Sequence, residues 1–116
     1  MAITSEIIGK LGGADVESWD VSVQVPSSKT GVIDTVNIAS GETKLLVLLG
    51  EFSRPITNID SSYIQIGGGE KMSPYSGSKI MSAAQVITST ADIILNNSSL
   101  NTQNFSGTVY LFDFPS

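Results

Sequence analysis

Ser76-Gly77-Ser78-Lys79 and Lys29-Thr30-Gly31 are the stretches whose residue types and spacing come nearest to a covalent chemistry. A serine three residues ahead of a lysine on a helix has the amine one turn away, where it can lower the barrier to nucleophilic attack, and a Lys-Thr-Gly completes such sites. In this chain the Lys-Thr-Gly comes first, no Ser-Asp-Asn is present, and Ser76 stands among Pro74, Tyr75 and Gly77 rather than in a helical run. The pattern does not assemble. Gly67-Gly68-Gly69 could wrap a phosphate with its backbone N–H groups, but no Gly-Lys-Ser/Thr follows and no helix begins there, so a flexible loop is the better reading. Calcium needs only oxygen ligands, and Asp15, Glu17 and Asp20 cluster near one another while Asn58 and Asp60 flank a turn; neither group has the spacing of a calcium loop. A glycosidase needs two acids across a cleft, and eleven acidic residues select no pair. Asn96-Asn97-Ser98, Asn97-Ser98-Ser99 and Asn104-Phe105-Ser106 have the form of glycosylation acceptors, with no signal peptide to give them weight.

Absences narrow the field further. The 116 residues contain neither cysteine nor histidine, which removes disulfides, thiolate metal sites and the commonest general base. No cofactor or metal is expected. Eleven acidic against six basic residues give a net charge of −5, thinly spread, which disfavours nucleic acid and anionic membranes as partners. Only 15% of residues are charged, so Ser, Thr, Asn and Gly must make up much of the surface. No apolar run approaches the roughly 20 residues of a membrane span, and no Sec-type leader opens the sequence. The expectation is a soluble chain made in the cytoplasm of its host, forming one domain.

The elements that would position any site read as strands. Trp19, Val21, Val23 and Val25 alternate with Asp20, Ser22 and Gln24, the pattern of a half-buried strand ended by Pro26. Pro26 to Gly31 reads as a turn, and Val32 to Ala39 as a second strand with Val36 and Ile38 on one face. The short Ser40-Gly41-Glu42 connection predicts an antiparallel hairpin with the strand Leu45 to Phe52. Arg54-Pro55 should break that strand's pairing. Tyr63 to Ile66 follows with Ile64 and Ile66 inward, then an irregular stretch from Gly67 to Gly77. Lys79 to Thr90 suits helix or strand, and its β-branched second half favours strand. Asp92 to Leu95 and a last strand reaching Phe114 complete seven or eight strands. The fold class is all-β: an antiparallel β-sandwich or jelly-roll-like small barrel over residues 14–116, preceded by an arm or short helix over 1–13. In that arm Ile3, Ile7, Ile8 and Leu11 share a helical face, which packs on its own domain or, hinged at Gly12 and Gly13, reaches a neighbouring subunit.

Leu45 to Leu49 are five consecutive apolar residues, so both faces of their strand are apolar. The last strand repeats the problem, with Val109 and Leu111 on one side and Tyr110, Phe112 and Phe114 on the other. One face fills a core and the second needs cover. A symmetric oligomer supplies it, with Leu46, Leu48, Tyr110, Phe112 and Phe114 as the expected subunit interface. Tyr63 and Tyr75 lie on either side of the triple glycine, and with Gly68 they form the expected ligand loop of an alternative reading, a carbohydrate- or receptor-binding module.

The opening Met-Ala-Ile-Thr-Ser-Glu-Ile-Ile-Gly-Lys-Leu-Gly-Gly, the absence of Cys and His, the Ser/Thr/Asn-rich neutral surface and the closing Val-Tyr-Leu-Phe-Asp-Phe-Pro together resemble the small accessory virion proteins of tailed bacteriophages: capsid decoration (cement) proteins, head-fibre bases and small tail proteins. The resemblance implies a non-enzymatic β-domain, often a homotrimer, bound to a major capsid or tail protein on the outside of a virion. There it would reinforce contacts between major subunits or carry an adhesive loop.

Overall fold

The first half of the chain pairs with the second as a ribbon folded back on itself. The computed structural model describes residues 16–113, which form β1 Val16–Val25, β2 Lys29–Val36, β3 Lys44–Ile56, β4 Ser62–Ile66, β5 Lys71–Met72, β6 Ser78–Ile87, β7 Ala91–Asn97 and β8 Gln103–Asp113. Strand β1 pairs with β8, β2 with β7, β3 with β6 and β4 with β5, all antiparallel. Further ladders between β3 and β8 and between β4 and β7 join the ribbon into two sheets, β1-β8-β3-β6 and β2-β7-β4-β5. An eight-strand sandwich rolled up in this way has jelly-roll connectivity. Residues 1–15 and 114–116, which include the arm residues Ile3, Ile7, Ile8 and Leu11 and the interface residue Phe114, lie outside the described residues.

Alternation decides which side chains meet between the sheets. Leu46, Leu48 and Phe52 of β3, Phe105, Val109 and Leu111 of β8 and Met81 and Ile87 of β6 face Ile64, Ile66, Ile93 and Leu95 of the second sheet, and all are buried. Trp19, Val21 and Val23 pack against this core along with buried Val25, as their spacing predicts. Phe52 and Phe105 stand opposite one another in register, and their rings meet edge to face with centroids 5.3 Å apart, a geometry worth about 1 kcal/mol beyond the area buried.

Four expectations are corrected. Ser40-Gly41-Glu42 does not close a hairpin: β2 pairs with β7 and β3 with β8 and β6, so this connection crosses from one sheet to the other. A short link requires proximity, and the facing sheet is as near as the next strand. The turn before β2 is limited to Pro26–Ser28, with Ser28 at φ +60°, and Lys29 to Gly31 already belong to the strand. Within the Gly67 to Gly77 stretch, Gly67 and Gly68 have φ of +55° and +77° and the Gly69 N–H donates to the Ile66 carbonyl at 2.9 Å. Positive φ at both central residues makes a tight hairpin turn into β5. The break expected at Arg54-Pro55 is a bulge: pairing of β3 with β6 shifts between Glu51 and Ile56 while β3 continues.

Buried polar side chains hold the ends of the ribbon. Asn97, 1% exposed, donates through Nδ2 to the carbonyls of Val25, Pro26 and Asn101 at 3.0, 3.1 and 2.8 Å. Its Oδ1 accepts from the Ser62 and Ser99 hydroxyls at 3.0 and 2.7 Å. Gln103 accepts the Arg54 N–H at 2.9 Å and the Ser53 hydroxyl at 3.0 Å, pinning the bulge. Among the described residues no buried side-chain polar atom lacks a partner.

Candidate assembly surface

The two outer faces of the sandwich differ in chemistry. On the outside of β1-β8-β3-β6 the registers align Val16, Phe112, Leu45 and Val86 in one row across all four strands, and Ser18, Tyr110, Val47 and Ala84 in the next. Leu49 lies one row further along β3, between Thr108 and Ser82. Leu49 and Val86 are 41% and 52% exposed. Toward the other end the face turns polar, with Ser22, Ser106 and Glu51 in register. No described strand lies over this face.

Outside the second sheet the cross-strand pairs are polar. Asn96 donates to the Thr30 hydroxyl at 2.9 Å, the Thr35 hydroxyl donates to Asp92 at 2.8 Å, and the Lys71 ammonium sits 4.9 Å from the centre of the Tyr63 ring. Val32 and Ile94 are the aliphatics of this face. Polar pairs satisfied within the sheet suit a solvated surface.

Of the expected interface residues, Leu46 and Leu48 are misplaced: both are 0% exposed and belong to the core. Leu45, Val47 and Leu49 take the outer positions instead, in register with Phe112, which is half-buried, and with Tyr110, which lies on the outer side but is buried at 9% exposure. A continuous apolar run has no period, so only the neighbouring strands decide which of its faces turns inward.

The expected ligand loop is dispersed. Tyr63 lies half-buried on β4 beneath Lys71, Gly68 is at the tip of the β4–β5 turn, and Tyr75 is 91% exposed in the 73–77 loop. The depression beside Gly68 is lined by Gln65, Thr90, Asp92 and Ile94, with neither tyrosine in its wall. A larger open groove of about 560 Å³ lies at the polar end of the first sheet, and sequence reasoning missed it. Ser22, Gln24, Glu51, Lys79, Asn104 and Ser106 line it. They come from four strands, and only the register brings them together.

The remaining chemical candidates do not converge. Ser76 is exposed beside Gly77, no hydrogen bond links it to Lys79, and Lys29 lies on β2 in the other sheet. Among the described residues no three His, Cys, Asp or Glu side chains group as a metal site. Asn97 is buried with its amide fully used, so the acceptor pattern at Asn97-Ser98-Ser99 is closed to modification in the folded chain. At the start of β3, in phase with the inward Leu46 and Leu48, Lys44 bonds Asp113 at 2.5 Å and lies 3.9 Å from Glu42. The hydrogen bond to Asp113 is the largest cause of a raised Lys44 pKa, opposed by desolvation and assisted by the charges of Asp113, Glu42 and Glu17.

No family model and no curated protein matches the sequence. Among solved structures, the chain is similar to a chain of the structure titled "Bacillus endospore appendages form a novel family of disulfide-linked pili", at 13% identity over 89% of this chain and 91% of that one, with a TM-score of 0.47. It is also similar to part of BuGH86, solved in complex with neoagarooctaose, at 12% identity and a TM-score of 0.50. That match covers 89% of this chain and 20% of BuGH86, so the chain spans about a fifth of that protein's length. At such identities the likeness is one of fold.

Proposed function

We propose that this chain is a non-enzymatic structural protein of a virion, a capsid decoration (cement) protein seated on the outside of a phage particle. The observation that carries the reading is the asymmetry of the sandwich: one outer face is solvated by polar pairs, while the other runs Val16, Phe112, Leu45 and Val86 across its full width. Apolar rows of this kind are covered in the working state of a protein. Copies of the chain, in a trimer, and the major capsid or tail protein are the partners this reading names. The resemblance of the sequence to accessory virion proteins supplies the particle. A decoration protein acts without reacting, since binding only the assembled shell shifts its equilibrium toward assembly.

The test is the solution mass of the full chain, of the chain lacking residues 1–13 and of Val47→Glu, together with the protein content of purified particles. The expected result is a trimer, or a multiple of one, that survives loss of residues 1–13, loses its three-fold contact in V47E with its β-sheet circular dichroism intact, and occurs in virions at a fixed ratio to the major subunit. A wild-type monomer, or particles without the chain, would overturn the reading.

The open groove favours a second reading, a carbohydrate- or receptor-binding module of a tail or head fibre. Its Ser22, Gln24, Glu51, Lys79, Asn104 and Ser106 side chains make no hydrogen bond among the described residues and so offer donors and acceptors to a hydroxylated ligand. Chemical-shift changes confined to these residues on titration with an oligosaccharide would favour this reading over the first.

A further inference from the structure

The sandwich has four sheet edges, and three are blunted. Strand β1 carries Glu17 and Asp20, and its Trp19 indole N–H bonds Asp34 of β2 at the corner where the sheets meet. Strand β2 carries Lys29 and Asp34 and is bulged between Val32 and Asp34. Strand β5 is two residues long and is followed by Pro74. Charges, bulges, prolines and short lengths are the devices that keep edges from pairing. Strand β6 has none of them between Ile80 and Ile87: the segment is uncharged, free of proline, and paired with β3 without a shift. It ends its sheet, so half of its backbone N–H and C=O groups lack a ladder partner among the described strands.

We propose that the β6 edge pairs antiparallel with β6 of a second copy about a two-fold axis through Ala83. The strand is complementary to itself in this register. Ile80, 64% exposed, comes to lie opposite Val86 of the second copy, 52% exposed, and the two-fold makes that contact twice. Ser82 falls opposite Ala84 of the second copy, small against small. All four of these side chains point to the outer face, as directly opposed residues must. Displacing the axis by one pair would set Ile80 against Ala84 or Thr88 and leave Val86 uncovered. The segment carries no charge that would select an unlike partner. Pairing joins two four-stranded sheets into one of eight strands. This contact uses an edge rather than the apolar face, and it stands whether or not the virion reading does.

The chain has no cysteine, so engineered thiols report directly. In the full-length double variant Ile80→Cys/Val86→Cys, each thiol faces its counterpart at a Cα separation of about 4.5–5.5 Å, within disulfide range. Mild oxidation should give a covalent dimer and no larger band on a non-reducing gel, because both cross-links join the same two copies. Adding Ser82→Lys, an exposed position outside the two apolar rows, should lower the yield at least tenfold, whereas Val47→Glu should leave it unchanged. The single variant Val86→Cys should not cross-link. Absence of the dimer band, a band from V86C alone, or a ladder of higher species would each overturn the two-fold pairing. Loss of the band in V47E but not in S82K would overturn it in favour of contact through the apolar face. Failure of V47E to change the solution mass while the band persists would remove the face reading and leave the edge contact standing.

Discussion

Gly50 on β3 and Gly107 on β8 face each other across the ladder at a place where two Cβ atoms would not fit. A Cβ on Gly107 would stand 2.3 Å from the Leu49 carbonyl oxygen and 2.8 Å from the Gly50 Cα. One on Gly50 would stand 2.5 Å from both the Phe105 ring and the Ser106 carbonyl oxygen. The obstacles are mostly backbone, which no rotamer change can move. Gly107→Ala should therefore cost at least about 2 kcal/mol, as overpacking does in a filled core. Gly41, at φ +84° with open space around it, makes the contrast. There Ala pays only the left-handed backbone penalty of about 1 kcal/mol. Urea unfolding midpoints of the two variants should rank accordingly, and equal midpoints would show that the strands separate freely.

Asn97 ties the end of β1 to the ends of β4 and β7 and to the 98–102 loop, so its loss should be felt well beyond one strand. Asn97→Ala leaves the Val25 and Asn101 carbonyls and the Ser62 hydroxyl without this partner in a closed site. At about 1–3 kcal/mol for each group left unsatisfied, a total near 3 kcal/mol is expected. Amide hydrogen exchange should show faster opening at both β4 and β7. Protection lost in β7 alone would mean that the side chain is not the tie.

Trp19 and Asp34 form the one side-chain hydrogen bond between an indole and a carboxylate in the described residues, 2.5 Å from Nε1 to Oδ2, joining the two sheets at their β1–β2 corner. Asp34→Ala should cost about 1–2 kcal/mol and shift the fluorescence of Trp19, the only tryptophan, to the red as water reaches the indole. Asp34→Asn keeps an acceptor oxygen and should recover most of both. An emission maximum unmoved in D34A would place the indole in contact with other cover.

Strands with strict alternation were legible down to the side chain. Trp19, Val21, Val23 and Val25 could be assigned to the core because period two leaves no choice, and Ile64 and Ile66 for the same reason. Leu45 to Leu49 could not be divided into inner and outer residues, since a run without polar markers fits either phase. The partner of β2 was hidden too: its neighbour β7 lies some sixty residues away, while the nearer β3 is in the opposite sheet. Asn97 and Gln103 sit in a polar stretch that reads as exposed loop, and only the carbonyls brought to them from β1 and β3 make their burial favourable. The β6 edge was half visible. Its uncharged composition could be read, but its place at the end of a sheet is a property of the topology.

Lys44 and Asp113 close the apolar end of the first sheet, in register as partners on β3 and β8. The hydrogen bond to Asp113 raises the Lys44 pKa above its ordinary 10.5 despite desolvation acting the other way. A lysine whose pKa is higher folded than unfolded holds its proton more tightly in the native state. Its contribution is therefore complete below the unfolded value and is lost as pH rises through the folded one. Wild type should consequently exceed Lys44→Met in melting temperature by a constant margin from neutral pH to about 10, and the margin should close above that. A margin already closing between pH 7 and 9 would show that Lys44 is not the group responsible. Raising salt at neutral pH should narrow the margin as well, because Asp113 is 46% exposed and open to screening.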